Sequence, residues 1–357
     1  MGKVLEEMAG LVSQPSQTSQ PPAYVGRLAP SPTGALHLGN ARTFMVAWLR
    51  ARSQGGKVIF RMEDLDHPKD KPGAAVQAVE DLRWLGFDWD EEYVQSERKD
   101  IYRQALEGLL HPHQVPGTPH QALIYPCVCS RKDVESAQSA PHAGEQLYYP
   151  GTCRGRFATW REASSFLEGA SDSRDSRSSR SSSSSRTPCW RFAVAPGSRV
   201  SFDDAFAGHY EQDVSRTLGD FPLARDEFGA GYTLACAVDD LLMGVTEVVR
   251  GDDLLAATPA QILLAEALRP TLQPSTFNLQ PSYCHVPLVV GKDGKRLAKR
   301  HGDTRIASYR EAGKAPEELI GFLAASCGWA AKGERVSLAD LVPRFDLGTI
   351  PHSPFMI

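Results

Sequence analysis

Short apolar runs and longer amphipathic stretches alternate along the first third of the chain. Residues 24–28 and 57–62 read as buried strands, and helices are expected from near residue 37 to about residue 52, at 73–85 and at 101–110. Strands that alternate with helices form parallel sheets with helices on both faces. The pattern therefore predicts an α/β protein in which residues 23–110 form the first half of a doubly wound parallel sheet.

This alternation stops at residue 111 and returns after residue 215. Residues 111–215 read as an insertion with short strands such as residues 190–193. Residues 216–305 should complete the sheet with strands at 221–223, 232–238, 246–249 and 286–290 and a helix at 259–268. Residues 306–357 should form a short helical tail that includes a helix at 317–327.

Two segments have a composition that does not favour packing. Residues 1–22 are rich in Gln, Ser and Pro and are expected to be a disordered extension. Residues 169–187 form a Ser/Arg-rich loop within the insertion, for which a solvated linker is favoured over a contact with RNA. Neither segment is expected to add to the core.

Composition and charge restrict the possible functions only weakly. The chain has 357 residues, 41% of them apolar, and a formal net charge of −4, so any RNA contact must use local patches such as residues 292–300 or Arg154 with Arg156. No apolar run approaches membrane-spanning length, and no signal peptide or myristoylation pattern is present at the N-terminus. We therefore expect a cytoplasmic protein without a membrane partner.

The first candidate for chemistry is the loop that follows the first predicted strand. From residue 27 it reads RLAPSPTGALHLGN, with two prolines before a helix that begins near His37. The free N–H groups and the positive end of such a helix favour phosphate, while His37 can donate to phosphate oxygens and Gly39 allows an adenine ring to approach the backbone. The alternative is an ordinary Pro/Gly turn between a strand and a helix.

The second candidate is a glycine-containing loop with five cationic side chains between Lys292 and Arg300. Such a loop can close over a triphosphate and neutralise charge as pyrophosphate leaves, although a solvated basic hairpin is the simpler interpretation. Together, His37-Leu38-Gly39-Asn40 and Arg296-Leu297-Ala298-Lys299-Arg300 resemble the HIGH-type and KMSKS-type signatures of class I aminoacyl-tRNA synthetases. The resemblance implies a Rossmann-type catalytic domain, and it implies ATP binding by His37, Gly39, Asn40 and Lys299, with His37 and Lys299 as catalytic residues. Arg296 and Ala298 replace the usual Lys and Ser, but the second Lys, Lys299, is retained.

Further matches are similar to the glutamyl-type members of that family. These are Arg61-Met62-Glu63-Asp64, Gly231-Tyr232-Thr233-Leu234-Ala235 and the run from Gly244 to Leu254. The resemblance implies that Arg27, Tyr232 and Arg250 hold the side-chain carboxylate of L-glutamate and that Ser31 and Glu63 surround its amino group. Leu28, Ala29 and Pro30 complete the expected glutamate site. Charge matching supports Arg250 independently, because a pocket for neutral glutamine should not contain a second buried cation.

Three cysteines have a spacing typical of a structural zinc site. Cys127 and Cys129 are separated by one residue, and Cys153 follows after a long loop. On chemistry alone His142 would be the fourth ligand. The pattern also resembles that of glutamyl-queuosine tRNA(Asp) synthetases, which implies Tyr149 instead and one structural Zn²⁺. Three unrelated buried thiols remain the alternative, and Cys189, Cys236, Cys284 and Cys327 read as core or free thiols.

The tail is short for a tRNA synthetase, because only 57 residues follow Arg300. We therefore expect no anticodon-binding domain. The resemblance implies that ATP, with Mg²⁺, activates glutamate, which is then transferred to queuosine in the anticodon loop of tRNA(Asp) by a protein expected to be a monomer. The alternatives are a truncated glutamyl-tRNA synthetase that charges a tRNA 3′ end and an inactive RNA-binding paralogue.

Overall fold

The computed structural model describes the chain in several stretches. They are residues 23–65, 71–111, 122–137, 148–172, 186–272, 280–295, 297 and 303–357. The extension at 1–22, most of the Ser/Arg-rich loop, His142 and Lys299 lie outside the described residues, as do Arg296 and Ala298.

The described residues form twelve short strands and eleven α-helices. The strands are β1 Val25–Leu28, β2 Lys57–Met62, β3 Glu91–Val94, β4 Ile124–Cys127, β5 Cys189–Phe192, β6 Arg199–Asp204, β7 Gly208–Asp213, β8 Phe221–Ala224, β9 Glu247–Gly251, β10 Ser282–Val286, β11 Val289–Val290 and β12 Phe355–Met356. The helices are α1 Leu38–Arg52, α2 Ala74–Trp84, α3 Lys99–Leu110, α4 Arg131–Ala137, α5 Trp160–Asp172, α6 Val214–Thr217, α7 Tyr232–Leu242, α8 Thr258–Leu272, α9 Ile306–Glu311, α10 Pro316–Ala325 and α11 Leu338–Leu341.

Two groups of parallel strands meet at β1 and β9. Strands β1, β2 and β3 pair in parallel, as do β9 and β10. The N–H of Thr246, just before β9, donates to the carbonyl of Val25 in β1 at 2.9 Å. Strand β1 thus has β2 on one side and β9 on the other. The order in which the chain adds strands to the sheet therefore reverses between β1 and β9. Crevices at the carboxyl ends of strands beside such a point bind ligands in doubly wound folds.

The predicted parallel strands at 24–28 and 57–62 and the first helices are confirmed within one or two residues. One main core lies between α1, the β1–β2–β3 strands and the helices of the tail. Leu319, Ile320 and Leu323 of α10 are buried in this core, and β12 pairs with β11. The tail is helical as expected, and it supplies part of the core that supports the parallel sheet.

The predicted strand at 232–238 is wrong, because these residues form helix α7. Gly231 is extended before the helix, and nearly every residue from Leu234 to Asp239 is buried. A helix that is buried all round has no polar face, so its short apolar run resembles a buried strand. The predicted strand at 286–290 is also wrong in extent, since Pro287 separates β10 from β11 and cannot donate to a ladder.

A second sheet is built from residues of the expected insertion. Strands β4, β5 and β8 are antiparallel, so residues 221–223 form a strand as predicted but do not rejoin the parallel sheet. Strands β6 and β7 form a hairpin, and β6 lies beside β10. The hairpin thus brings Asp204, at the end of β6, next to the central strands. Among the described residues, no helix is long and apolar enough to cross a membrane.

Candidate active site and thiol cluster

His37 begins helix α1 and closes its first turn. Its Nδ1 accepts from the N–H groups of Gly39 and Asn40 at 3.1 and 3.4 Å, while the Asn40 side chain accepts from the His37 N–H at 3.1 Å. A neutral ring that accepts at Nδ1 carries its proton at Nε2, where it is a donor. A Cβ at position 39 would lie 3.0 Å from the His37 ring, so glycine lets the ring keep this position without a shift. The cap therefore fixes both the tautomer and the orientation of His37.

The described residues after the Lys/Arg loop are attached to the loop before α1. The N–H of Leu38 donates to Thr304 and the N–H of Ile306 donates to Leu36, at 3.0 and 2.9 Å. These bonds close one end of a cleft of about 810 Å³, which is lined by Gly34, Ala35, His37, Lys71, Pro72, Ala74, Gln77, Asp303, Thr304 and Arg305. Although Lys299 itself is outside the described residues, the chain resumes beside His37 four residues later.

Arg250 ends β9 as a buried guanidinium held by neutral groups. It is 6% exposed. Its Nε donates to His285 Nε2 at 3.0 Å and its Nη2 donates to Thr258 Oγ1 at 2.7 Å. No carboxylate lies within ion-pair distance of it in the part of the chain that the structure describes. A buried cation without an acidic neighbour is costly, so this arrangement favours an anionic ligand.

Arg27 and Tyr232 lie in the electrostatic environment of Arg250. Both guanidiniums lower the pKa of Tyr232, against a larger rise caused by desolvation. Tyr232 is the first residue of α7. Its side chain is 42% exposed, so part of it faces solvent. Arg27 donates to the carbonyl of Val249 at 2.8 Å, but its buried Nε has no hydrogen-bond partner in the described structure. The three residues expected to hold a side-chain carboxylate are therefore brought together.

The expected amino-group side of the site is acidic and lies next to Arg27. Glu63 accepts from the fully buried Arg61 at 2.9 Å and from the Cys236 thiol at 3.3 Å. Its N–H donates to the carbonyl of Pro30 at 2.9 Å, which places the loop that contains Ala29, Pro30 and Ser31 beside it. Ser31 is exposed. Glu63 thus presents a carboxylate at the end of β2, close to the end of β1.

Two neighbouring aspartates on α7 hold this region together. Asp240 accepts from Arg61 at 2.6 Å and lies 3.9 Å from Arg27 Nε. Asp239 is fully buried, and it accepts from the side chains of Gln95, Arg98 and Tyr102 at 3.0, 2.8 and 2.8 Å. Both aspartates also lie within ion-pair distance of Arg61, at 4.0 Å for Asp239 and 2.6 Å for Asp240. Asp239 therefore stabilises the contact with α3, while Asp240 faces the two arginines.

Three of the expected metal ligands form a thiol cluster, and the fourth touches it. The sulfur atoms of Cys127, Cys129 and Cys153 lie within 4.8 Å of one another. The Tyr149 hydroxyl lies 3.2 Å from Cys127 Sγ and accepts from the Cys153 N–H at 3.0 Å. Three thiolates are the donor set that a zinc-like cation prefers, so these residues fit a metal ion. His142, the other candidate, lies outside the described residues.

The thiols of the cluster need a cation if they are to be ionised together. A hydrogen bond with the Cys127 side chain, together with burial, raises the pKa of the Cys153 thiol to about 12. Desolvation raises the pKa of the Cys129 thiol. Cys189, which the sequence suggests is an unrelated thiol, lies opposite Cys127 across the β4–β5 ladder. Arg191 donates to Cys127 Sγ at 3.2 Å, and its guanidinium lies 3.8 Å from the centre of the Tyr149 ring. The contacts of Cys189 and Arg191 with the thiol cluster depend on how β4 pairs with β5, so the sequence alone does not predict them.

Arg154, which the sequence places with Arg156 in an expected RNA patch, is exposed and forms an ion pair with a buried carboxylate. Its Nε donates to the buried Asp220 at 3.1 Å, and its Nη2 donates to the Val194 carbonyl at 3.0 Å. Since the same carboxylate accepts from the N–H of Val194 at 2.8 Å, Arg154 joins the thiol cluster region to β5 and β8. The carboxylate of this ion pair is buried, whereas the Arg154 side chain is 39% exposed.

Sequence reasoning missed the residues behind Arg250. Asp204 accepts from His285 Nδ1 at 2.6 Å, and both residues are buried. They come from β6 and β10, which are far apart in the chain. A polar residue inside an apolar strand, as His285 is in SYCHV, was the only available signal.

Comparisons with known proteins agree with this geometry. A family model for the catalytic domain of class I tRNA synthetases for glutamate and glutamine matches residues 24–342. The chain is 43% identical over 344 residues to the glutamyl-Q tRNA(Asp) synthetase of Symbiobacterium thermophilum, which covers 93% of this chain and 95% of that protein. It is 40% identical over 354 residues to the enzyme of the same name from Rhodopirellula baltica, with 93% and 96% covered.

A solved structure gives the same picture. The glutamate tRNA ligase of Elizabethkingia meningosepticum, crystallised in complex with its amino acid, superposes with a TM-score of 0.69 at 26% identity. The match covers 94% of this chain and 66% of that chain. This chain therefore belongs to the class I tRNA synthetases for glutamate and glutamine, a family of ligases, and within it to the glutamyl-Q tRNA(Asp) synthetases.

Proposed function

We propose that this protein activates L-glutamate with ATP and transfers it to the queuosine base of tRNA(Asp). The observation that carries the amino-acid choice is Arg250, a buried guanidinium held by His285 and Thr258 with no acidic neighbour in the described structure. A glutamate side chain supplies the missing charge, whereas the amide of glutamine would leave it unpaired. Arg27 supplies a second guanidinium, whose buried Nε has no hydrogen-bond partner among the described residues and lies 3.9 Å from Asp240.

The first step requires positioning rather than a protein nucleophile. The α-carboxylate of glutamate attacks the α-phosphorus of Mg²⁺-bound ATP, and the bond to pyrophosphate breaks, which yields glutamyl-adenylate. Glu63 and Ser31 would receive the ammonium group, while Arg27, Tyr232 and Arg250 hold the side-chain carboxylate. His37 at Nε2, the N-terminus of α1 and Lys299 would stabilise charge on the phosphates, with Gly39 and Asn40 beside the nucleotide.

In the second step a hydroxyl of queuosine attacks the carbonyl of the mixed anhydride. A new ester bond forms, the carbonyl–phosphate bond breaks, AMP leaves with the electron pair, and the hydroxyl proton is released to water. The choice of acceptor is supported by the two relatives named for glutamyl-Q tRNA(Asp), of which this chain covers 95% and 96%.

The thiol cluster would hold one structural Zn²⁺. Cys127, Cys129 and Cys153 supply three sulfur ligands, and Tyr149 is the proposed fourth. The ion would join β4 to the loop that contains Cys153, two segments that carry little apolar core of their own. A bound Zn²⁺ would also compensate the charges of the ionised ligands.

The amino-acid choice is tested by ATP–pyrophosphate exchange without tRNA. Glutamate should support exchange, and glutamine should do so far less efficiently in kcat/KM. Equal exchange with both amino acids would contradict the role of Arg250. Exchange of any kind with glutamate would exclude an inactive RNA-binding protein.

A 3′-charging enzyme is the second candidate, because the superposed structure is a glutamate tRNA ligase. The two acceptors differ in their sensitivity to periodate. The queuosine diol of tRNA(Asp) is shielded, the 3′-terminal ribose is oxidised, and the shield is then removed. Transfer of radiolabelled glutamate should survive this treatment and should be absent with tRNA(Asp) that lacks queuosine. Loss of transfer after oxidation would identify the 3′ end as the acceptor.

A further inference from the structure

Three buried residues from separate strands form a chain of hydrogen bonds that ends at Arg250. Asp204 Oδ2 lies 2.6 Å from His285 Nδ1, and His285 Nε2 lies 3.0 Å from Arg250 Nε. His285 is 1% exposed and Asp204 is 5% exposed. Water cannot replace either bond without a rearrangement of the strands.

The direction of each hydrogen bond follows from the chemistry of arginine. A guanidinium can only donate, so His285 Nε2 must be unprotonated and must accept from Arg250. The proton of a neutral imidazole then lies on Nδ1, where it donates to Asp204. Burial and the positive charge of Arg250 lower the pKa of His285, which agrees with a neutral ring. The order is therefore carboxylate, neutral imidazole, guanidinium.

Asp204 is itself held in one orientation. Its Oδ1 accepts from the N–H groups of Phe206, Ala207 and His285 at 3.0, 2.8 and 3.0 Å. Only Oδ2 therefore faces the imidazole. On the other side of the ring, Thr258 accepts from Arg250 Nη2, so Nε and Nη2 each donate to a protein group, while Nη1 is not part of this chain of hydrogen bonds.

We infer that Asp204 and His285 are positioning residues for glutamate selectivity, because they fix the tautomer that orients Arg250 toward the substrate carboxylate. This inference rests on the proposed function, since it concerns the same amino-acid site. It predicts that a change at Asp204, which does not touch Arg250, alters the recognition of glutamate.

The substitution Asp204→Asn tests the tautomer directly. Three backbone N–H groups keep the amide oxygen in the place of Oδ1, so the new NH₂ group faces His285 Nδ1. That nitrogen must then accept, the ring proton moves to Nε2, and an N–H points at the N–H of Arg250. The expected result is a rise of about ten-fold or more in the KM for glutamate in ATP–pyrophosphate exchange, since one charged hydrogen bond is lost.

The neighbouring pair Asp203 and His209 gives a matched control. Asp203 Oδ1 lies 2.8 Å from His209 Nδ1, but both side chains are exposed on the same hairpin. Asp203→Asn should leave the KM values for glutamate and ATP at the wild-type level. Asp204→Asn should raise the KM for glutamate without changing the KM for ATP. It should also reduce the preference for glutamate over glutamine. An equal change in both KM values would indicate a general loss of structure and overturn the inference.

Two substitutions of His285 separate the two ends of the imidazole. His285→Gln keeps an acceptor near the position of Nε2, and His285→Asn keeps a donor near the position of Nδ1. The glutamine variant should retain most of the glutamate selectivity, while the asparagine variant should lose it as Asp204→Asn does. The reverse order would contradict the inference, and this comparison still decides the question if Asp204→Asn does not fold.

Nitrogen NMR of the imidazole gives a readout that needs no substrate. Wild-type His285 should carry its proton on Nδ1, and in Asp204→Asn the proton should lie on Nε2. A wild-type proton on Nε2 would overturn the inference. If the wild type shows the Nδ1 tautomer but no glutamate-dependent exchange, the proposed function fails instead. If exchange is present and Asp204→Asn leaves the glutamate KM unchanged, only the inference fails.

Discussion

Replacement of Arg250 by methionine should abolish glutamate recognition with little loss of stability. The guanidinium has two neutral partners, His285 Nε2 and Thr258 Oγ1, which lie 3.1 Å from each other. When the arginine is removed, the Thr258 hydroxyl can donate to His285, so no buried polar atom is left without a partner. Methionine also fills much of the volume of the lost side chain.

The effect on substrate binding should be much larger. Loss of one member of a desolvated charge pair typically costs about 2–5 kcal/mol. At about 1.4 kcal/mol per decade, this corresponds to a rise in KM for glutamate of roughly 30-fold to several thousand-fold. Binding of ATP should change little, since Arg250 lies at the end of β9 and not in the cleft beside His37.

The assay is ATP–pyrophosphate exchange over a range of glutamate concentrations, combined with thermal unfolding. Arg199→Met is the matched control, because Arg199 is exposed and its pair with Glu211 at 3.3 Å should contribute less than about 1 kcal/mol. The reasoning is refuted if Arg250→Met keeps the wild-type KM for glutamate. It is also refuted if the variant unfolds far more easily than the control, because Arg250 would then be a structural residue.

Three further predictions concern other parts of the molecule. Elemental analysis should find one zinc per chain. Cys153→Ser and Tyr149→Phe should each lower both the zinc content and the melting temperature. Full zinc occupancy in both variants would exclude the site. His37→Asn keeps a good helix cap, so the variant should retain its melting temperature while ATP–pyrophosphate exchange slows by about 100-fold. His37→Ala should slow exchange and also lose about 1 kcal/mol of stability. Exchange at the wild-type rate in the asparagine variant would show that His37 does not take part in the reaction. Burial raises the pKa of Asp81 to about 6, so its ionisation costs stability as the pH rises from about 4 to 6. Asp81→Asn should therefore gain more stability over the wild type at pH 8 than at pH 4.5 in denaturant titrations, and a difference that is constant with pH would contradict this.

The local elements around the nucleotide loop could be predicted from the sequence, because each depends on nearby residues. Strand β1, the Pro-containing loop and a start of α1 near His37 follow from a short apolar run and two prolines, whereas the cap by the His37 side chain is seen only in the structure. The paired signature motifs then identified the family, which the comparisons confirm. The role of Arg27, Tyr232 and Arg250 toward glutamate is implied by resemblance and stays a prediction, while the structure places Arg27 against β9, the strand that contains Arg250.

The remaining features depend on tertiary contacts that a single sequence does not contain. Helix α7 was mistaken for a strand because its surroundings bury all its faces, and β8 was assigned to the wrong sheet because strand pairing is non-local. The neighbourhood of Cys189 and Cys127 follows from ladder register, and the contact of Asp204 with His285 links residues 81 positions apart. The charge and the periodicity of a single sequence do not predict which distant residues come into contact in this way.

The measurement that tests the central claim most directly is mass spectrometry of the nucleosides of tRNA(Asp) after incubation with the protein, ATP and glutamate. Digestion under mildly acidic conditions preserves an ester. The account predicts queuosine heavier by one glutamyl group, no such product when ATP or glutamate is omitted, and an unmodified 3′-terminal adenosine. Unmodified queuosine together with a glutamylated 3′-terminal adenosine would contradict it.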